Sequence, residues 1–194
     1  MAVGETLEIE MKFPVADLAA LRERLKAVQA RRKTIRPLQE SDHYFNAPDR
    51  DFAQTDEALR LRRIGAANRV TYKGPKRDKL TKTRAEIEVP MARGEQAAAD
   101  FSRLLVCLGY RPVRVVSKQR QVYHIRRKSF EVEVCLDRVD GLGSFVELEI
   151  VAGADRLDEA RSVLLALAAE LDLPAPERRS YLQLLLEKEK ASGT

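Results

Sequence analysis

Charged residues recur at every second position along most of the strand-like segments of this chain, and apolar residues fill the positions between. Leu7, Ile9, Met11 and Phe13 alternate with Glu8, Glu10 and Lys12. Leu59 and Leu61 oppose Arg60 and Arg62, and Val70 and Tyr72 oppose Arg69, Thr71 and Lys73. Ala85, Ile87 and Val89 oppose Arg84, Glu86 and Glu88. Phe130 to Leu136 oppose Glu131, Glu133, Cys135 and Asp137, and Val146 to Ile150 oppose Glu147 and Glu149. Lys118 and Arg120 form a further like-charged pair beside Val116. Residues two apart in a strand point the same way, so each pair sets two like charges ~7 Å apart on one face.

An outer sheet face in water would mix in Ser, Thr and Gln. Uniform charge fits better with a sheet that curls its ionic faces inward and offers its apolar faces to helices. Such an interior must be wet, because an unpaired buried charge costs several kcal/mol, roughly, even after relaxation. Closure would also remove the exposed sheet edges.

Helices are expected from Leu18 to Val28 with Asp17 as cap, and over Ala97, Phe101, Leu104, Leu105 and Leu108 before Gly109. Another is expected over Leu157 to Leu171 after Asp155 as cap, and a last one from about Ser180 to Lys190. Ser180 and Gln183 have capping-box spacing. Weaker strand signals lie at Thr34 to Phe45 and Gln121 to Ile125, and the Ala191–Thr194 tail reads as frayed. With about eight antiparallel-type strands the chain is α+β, and its 194 residues read as a single domain, 1–194.

Composition narrows the function. Hydrophobic residues at 44% exclude a disordered chain despite 34% charged residues. No apolar run approaches the ~18 residues of a membrane span, no secretory leader is visible, and Cys107 and Cys135 make no disulfide framework. A cytoplasmic setting without membrane partners is expected. Acids interleave the bases and aromatics are only 6%, which argues against a nucleic-acid binder. No GxxxxGK[ST] loop is present. Paired carboxylates bind hard cations such as Mg²⁺ or Mn²⁺, whereas Arg and Lys bind phosphate oxygens. A metal–triphosphate complex needs both at once, and phosphoryl chemistry is mostly positioning and charge neutralisation.

The pattern resembles a known family. Glu8-Ile9-Glu10-Met11-Lys12 is similar to the ExExK signature of the CYTH superfamily, the triphosphate tunnel metalloenzymes. Ala58–Arg62, Tyr72–Pro75, Lys118–Arg120, Leu136–Glu149 and Ser180–Leu185 resemble its later motifs in order. The resemblance implies a closed eight-stranded antiparallel β-barrel with helices outside. It implies metal ligands at Glu8, Glu10, Glu147 and Glu149, with Asp137 as a further one. Lys12, Arg60, Arg62, Lys73, Lys118 and Arg120 would grip the triphosphate, and Arg84, Glu86 and Glu88 lie on a matching strand. Glu131 and Glu133 join the site by strand parity. Lys12 and Tyr44 would be catalytic, Tyr44 by orienting water, although Tyr44 also reads as an ordinary strand aromatic.

Two reactions fit this lining. A class IV adenylyl cyclase-like enzyme would convert ATP to cAMP and pyrophosphate; a triphosphatase would hydrolyse thiamine triphosphate, tripolyphosphate or a nucleoside triphosphate. A non-catalytic polyphosphate-binding module is a third reading, which the abundance of acids disfavours. The resemblance leaves a homodimer open. His43 and His124 read as surface or partner-satisfied, Cys107 as packing, Lys73–Lys79 as a mobile basic loop, and Cys135, on the charged face, has no evident role.

Overall fold

The N-terminal alternation forms β1 (Thr6–Pro14), which buries Leu7, Ile9, Met11 and Phe13 on one side and carries Glu8, Glu10 and Lys12 on the other. The structure is a computed structural model and describes residues 6–77 and 81–193. Asp78 and Lys79, part of the expected basic loop, and Thr194 of the tail lie outside the described residues.

The chain continues through α1 (Leu18–Ala27), β2 (Arg31–Arg32), β3 (Leu38–Asn46), the single turn α2 (Phe52–Thr55), β4 (Ala58–Ile64), β5 (Ala67–Lys73) and β6 (Glu86–Met91). It then runs through α3 (Glu95–Cys107), β7 (Arg111–Arg127), β8 (Phe130–Val139), β9 (Gly143–Gly153), α4 (Leu157–Glu170) and α5 (Tyr181–Ser192). The strands form one antiparallel sheet in the order β1-β9-β8-β7-β3-β4-β5-β6, with the short β2 beside β7. The two weak strand signals are real: the first is β3, and the second lies inside the 17-residue β7.

The sheet curls into a half-barrel whose continuous ladder ends at β1 and β6. The expected closed barrel is therefore met only in part. The two edges touch through residues 82–84, where Glu8 and Arg84 exchange backbone hydrogen bonds of 3.3 and 3.2 Å and the Lys82 N–H donates to the Glu10 carbonyl at 2.9 Å.

Outside, α1 and α4 cover β1, β9, β8 and the second half of β7. Leu21 and Leu25 of α1 and Val163, Leu164 and Leu167 of α4 close a core with Ile9, Val132, Val134 and Leu148. Asp17 caps α1 by accepting from the amides of Ala19 and Ala20. Asp155 does not cap α4; it sits in the 3-10 turn Ala154–Arg156, and α4 starts without a side-chain cap. α5 begins with the expected capping box and continues to Ser192, so residues 191 and 192 are helical rather than frayed.

α3 departs further from expectation. Its buried line is Ala98 and Leu105, with Phe101 packed beside them against Phe45 and Leu61, while Leu104 and Leu108 face outward. Only one helical stripe can face a sheet, and the 98–101–105 spacing occupies it. Cys107 is correspondingly exposed rather than packed.

Candidate functional site

The concave side of the sheet carries the charged parity of each strand and surrounds a cavity of about 1000 Å³. Glu8, Glu10, Lys12, Arg60, Arg62, Lys73, Arg84, Glu86, Glu88, Lys118, Arg120, Glu131, Glu133, Glu147 and Glu149 all line it. Of the expected site, Asp137 stands apart from this lining, fully buried behind Arg120.

Cross-strand pairing sorts the lining into zones. On one wall Glu8, Glu10 and Glu149 each bring a carboxylate oxygen within 4.8 Å of the others. β1 and β9 set this up, because their register places Glu10 opposite Glu149. Burial and then the neighbouring Glu8 carboxylate push the Glu149 carboxyl well above its ordinary range, and burial raises Glu8 as well, against the pull of Lys73. Lys73 and Lys82 meet Glu8 and Glu10 at 2.6 Å each, and the three carboxylates together could also hold a cation. Hard oxygen donors of this kind suit Mg²⁺, Mn²⁺ or Ca²⁺.

Glu147 and Asp137 do not join that trio. Both turn to Arg120, which donates to Asp137 from Nε at 2.7 Å and from Nη2 at 2.5 Å and also pairs with Glu147. Tyr181 adds a hydroxyl donated to Asp137 at 2.9 Å. Burial opposes the charge on Glu147, but Arg120, Lys118, Lys82 and Lys12 overcome it and hold its carboxyl well below the usual range.

A second zone is basic. Lys73 contacts Glu8 and Glu86 at 2.6 Å each. Among the described residues Arg60 has only long ion pairs, 3.6 Å to Asp42, 3.8 Å to Glu86 and 4.0 Å to Glu88. Glu88 is held by Arg69 at 2.8 Å and by Thr71 at 3.1 Å. Lys12 is 1% exposed; its ammonium lies 4.1 Å from the Tyr181 ring centroid and donates to the Arg179 carbonyl. Burial, and then the neighbouring Lys82, push the Lys12 ammonium down to about 7. Lys82, 2.6 Å from Glu10, moves the opposite way because Glu10 and Glu147 overcome its burial.

Tyr44 stands opposite Arg60 across β3 and β4 and packs against the Val116, Phe145 and Tyr181 cluster. Arg84 sits 3.9 Å from Asp56 in the segment that meets β1. Lys76 of the basic loop is tied to Asp56, with its backbone N–H 2.9 Å from Oδ2. Glu131 and Glu133 flank His124 at another part of the cavity, with Glu133 3.1 Å from Nε2, so that histidine is partner-satisfied, as is His43 beside Ser41 at 3.1 Å. Cys135 is buried and donates to Glu133 at 3.4 Å.

Four residues escaped the sequence reading: Lys82 and Tyr181 in the lining itself, and Glu40 and Asp42 buried behind it. Glu40 and Asp42 on β3 anchor the basic zone: Asp42 accepts from Arg62 Nε at 2.6 Å and Nη2 at 2.8 Å, and Glu40 lies 3.3 Å from Lys118. Their acid-x-acid spacing was a signal, hidden in a weak strand. Lys82 continues the parity of Arg84, Glu86 and Glu88 backward by two. Tyr181 lies on a helix, where strand parity says nothing.

The match to known proteins agrees with this architecture. The model of the CYTH domain matches residues 6–181. The chain belongs to the CYTH family. Among its relatives, a Methanocaldococcus jannaschii protein named "Putative adenylate cyclase" is 36% identical over 92% of this chain and 98% of its own length. Adenylate cyclase CyaB of Aeromonas hydrophila is 29% identical over 91% of this chain and 87% of its own. A solved structure of a Pyrococcus horikoshii protein superposes with a TM-score of 0.79 at 38% identity, covering 93% of this chain and 99% of that one. Among the described residues, no helix is long and apolar enough to cross a membrane.

Proposed function

We propose that this CYTH protein is a divalent-metal-dependent enzyme that acts on a nucleoside triphosphate, with the class IV adenylyl cyclase reaction, ATP to cAMP and pyrophosphate, as its activity. The observation that carries this reading is the carboxylate trio Glu8, Glu10 and Glu149 on the same cavity wall as the ammonium groups of Lys12, Lys73 and Lys82. A free anion binder has no use for that trio. The adenylate cyclase names of its relatives support the same reading.

Glu8, Glu10 and Glu149 would hold Mg²⁺ or Mn²⁺, which when bound neutralises phosphate charge and acts as a Lewis acid. The chain's own residues do the remainder. Arg60, Arg62, Lys73, Lys118 and Arg120, with Arg84 at the seam, bind and orient the phosphate oxygens. Substrate phosphates replace the long ion pairs of Arg60 most easily, since those pairs are the loosest in the lining. The basic zone borders Tyr44, Phe52, Val113, Leu182 and Leu186, an apolar stretch of the same cavity that suits an organic group at the end of the phosphate chain. In the cyclase reaction the ribose 3′-oxygen bonds to the α-phosphorus, the bond to the β-phosphate oxygen breaks, and pyrophosphate leaves. The neutral Lys12 Nζ accepts the hydroxyl proton. Contact of residues 82–84 with β1 bridges the two edges of the half-barrel beside the carboxylate trio. The free thiols of Cys107 and Cys135 accord with a reducing, cytoplasmic setting.

A triphosphatase is the second reading, because the inward bases enclose the phosphate chain whatever it carries. Incubation with Mn²⁺ and ATP separates them: cAMP with pyrophosphate supports the cyclase, and orthophosphate from ATP, tripolyphosphate or thiamine triphosphate supports the hydrolase. Absence of all these products overturns both.

A further inference from the structure

The segment between α4 and α5 returns to the cavity and takes hold of Lys12 twice. The Glu177 N–H donates to the Lys12 carbonyl at 2.7 Å, and the Lys12 ammonium donates to the Arg179 carbonyl. The segment is itself braced. Arg179 donates from Nε to Glu177 at 3.0 Å and from Nη1 to Glu187 of α5 at 2.7 Å. Ser180 then opens α5 with its capping box: its hydroxyl accepts from the Gln183 N–H at 3.1 Å, and the Gln183 side chain accepts from the Ser180 N–H at 2.8 Å. Reciprocal capping holds the first helical turn together, and Tyr181 is the first residue of that turn.

Further contacts lock the Tyr181 side chain, which is buried. Its ring meets the Phe145 ring edge-on, with centroids 5.2 Å apart at 63°, and Val116, Val139 and Leu185 complete the cluster. Its hydroxyl donates to Asp137 Oδ2 at 2.9 Å, the same oxygen that accepts from Arg120 Nη2 at 2.5 Å.

Two lysines of the lining, brought from β1 and β7, converge on this fixed ring. The Lys12 ammonium lies 4.1 Å from the ring centroid and that of Lys118 lies 5.3 Å from it. Both fall within the ~6 Å over which an aromatic face attracts a cation. A lysine is a point charge on a flexible four-carbon stem, so its own backbone does not place its ammonium. Lys118 also has ion pairs of 3.3 Å to Glu40 and 3.6 Å to Asp42, but a carboxylate competes with an anionic ligand for the cation. An aromatic face holds the cation without adding negative charge to the site. Cations already in place lose less conformational freedom when an anion binds.

We infer that Tyr181 is a positioning residue of the triphosphate site, its ring face holding the ammonium groups of Lys12 and Lys118 ready for the substrate. This rests on the phosphate-binding role proposed for the cavity and adds the group on which two of its cations are set.

Calorimetry with inorganic tripolyphosphate, without metal, reads the basic residues whichever reaction the protein catalyses. Tyr181→Leu keeps an apolar side chain but removes the aromatic face, and it should weaken tripolyphosphate binding at least ~10-fold. Tyr181→Phe keeps the ring and should stay within about threefold of the wild type. The stabilisation that Mn²⁺ gives in thermal melts should be the same in the wild type and both variants, because the trio Glu8, Glu10 and Glu149 lies on β1 and β9. A residue that only shaped the cavity would lower both responses together. If the wild type does not bind tripolyphosphate, the phosphate-binding reading itself falls. If the wild type binds and Tyr181→Leu binds equally well, that reading stands and the positioning role falls. Equal losses in Tyr181→Phe and Tyr181→Leu, or a Tyr181→Leu chain that also loses its Mn²⁺ response, overturn the positioning role as well. Should Tyr181→Leu fail to fold, Tyr181→Phe decides: affinity retained supports the ring, and affinity lost overturns it.

Discussion

Arg120 meets Asp137 through two parallel hydrogen bonds, Nε to Oδ1 and Nη2 to Oδ2, and also pairs with Glu147. Arg60, on the facing part of the same lining, has no ion pair shorter than 3.6 Å among the described residues. Two arginines with the same expected role thus differ in how much of their binding capacity the protein already uses.

Their substitutions should separate accordingly. Arg120→Ala leaves Asp137 and Glu147 buried without their counter-charge, a change that costs about 3–5 kcal/mol. Urea unfolding should show that loss. Arg60→Ala, which leaves Asp42 its contacts with Arg62 and Lys118, should cost less stability than Arg120→Ala and should weaken triphosphate binding at least ~10-fold, read by calorimetry with a non-hydrolysable ATP analogue. Equal stability losses in the two variants would contradict the assignment.

The carboxylate trio makes the metal-free protein pay for its site. Glu149→Gln replaces, at constant shape, a carboxyl whose ionised form burial and Glu8 disfavour. It should raise the melting temperature of the metal-free chain by about 2–4 °C, as expected for ~1 kcal/mol in a chain of this size. It should also abolish the stabilisation that Mn²⁺ gives the wild type. Loss of a group that hydrogen-bonds a metal ligand costs roughly 10–100-fold in affinity or activity, so loss of a ligand itself should reach or exceed ~100-fold. Thermal melts with and without Mn²⁺ check both parts.

Asp42 sets the acid limit of stability. Burial works against its charge, but Lys118, Arg60 and Arg62 hold its carboxyl well below the usual range. A depressed carboxyl stabilises the fold above the unfolded value of ~3.9, and that stabilisation disappears as pH falls toward the folded value. Glu40, lowered by Arg120, Lys118 and Arg62 against its burial, contributes with the same sign. Glu8 and Glu149 are raised and act with the opposite sign, losing their mutual repulsion on acidification. The unfolding free energy of the wild type should therefore fall below about pH 4, and Asp42→Asn should flatten that fall while lowering stability at pH 7. Urea titrations at several pH values show whether the slope changes.

Most of this site was legible because a strand's period of two assigns every second side chain to one face, and all six like-charged pairs obeyed it. What parity could not show was which charges meet. Asp137 and Glu147 share the parity of the carboxylate trio, yet register sets Arg120 opposite Asp137 and its guanidinium also takes Glu147. Lys82 keeps the parity of Arg84, Glu86 and Glu88 but lies ahead of the strand itself, and Tyr181 comes from a helix, where no alternation marks the inward face. The closed barrel was overstated for a related reason: inward charge implies curvature, but the pairing of the last two edges depends on residues 82–84, whose pattern is too short to read. The α3 face was misassigned because Leu104 and Leu105 are neighbours and either could head the buried stripe; only packing on Leu61 and Phe45 chooses Leu105.

Lys12 gives the sharpest test of the chemistry. Its ammonium, pushed down to about 7 by burial and by Lys82, loses its proton as pH rises through neutrality. A neutral amine can accept a proton, so turnover should rise about tenfold per pH unit below 7 and level off above it. Lys12→Arg keeps the positive charge but cannot deprotonate in this range. It should still bind the triphosphate while losing turnover by ~100-fold or more, and the residual activity should no longer follow the acidic limb. A variant that retains both the rate and the limb would show that Lys12 only binds phosphate and that the proton leaves by another route.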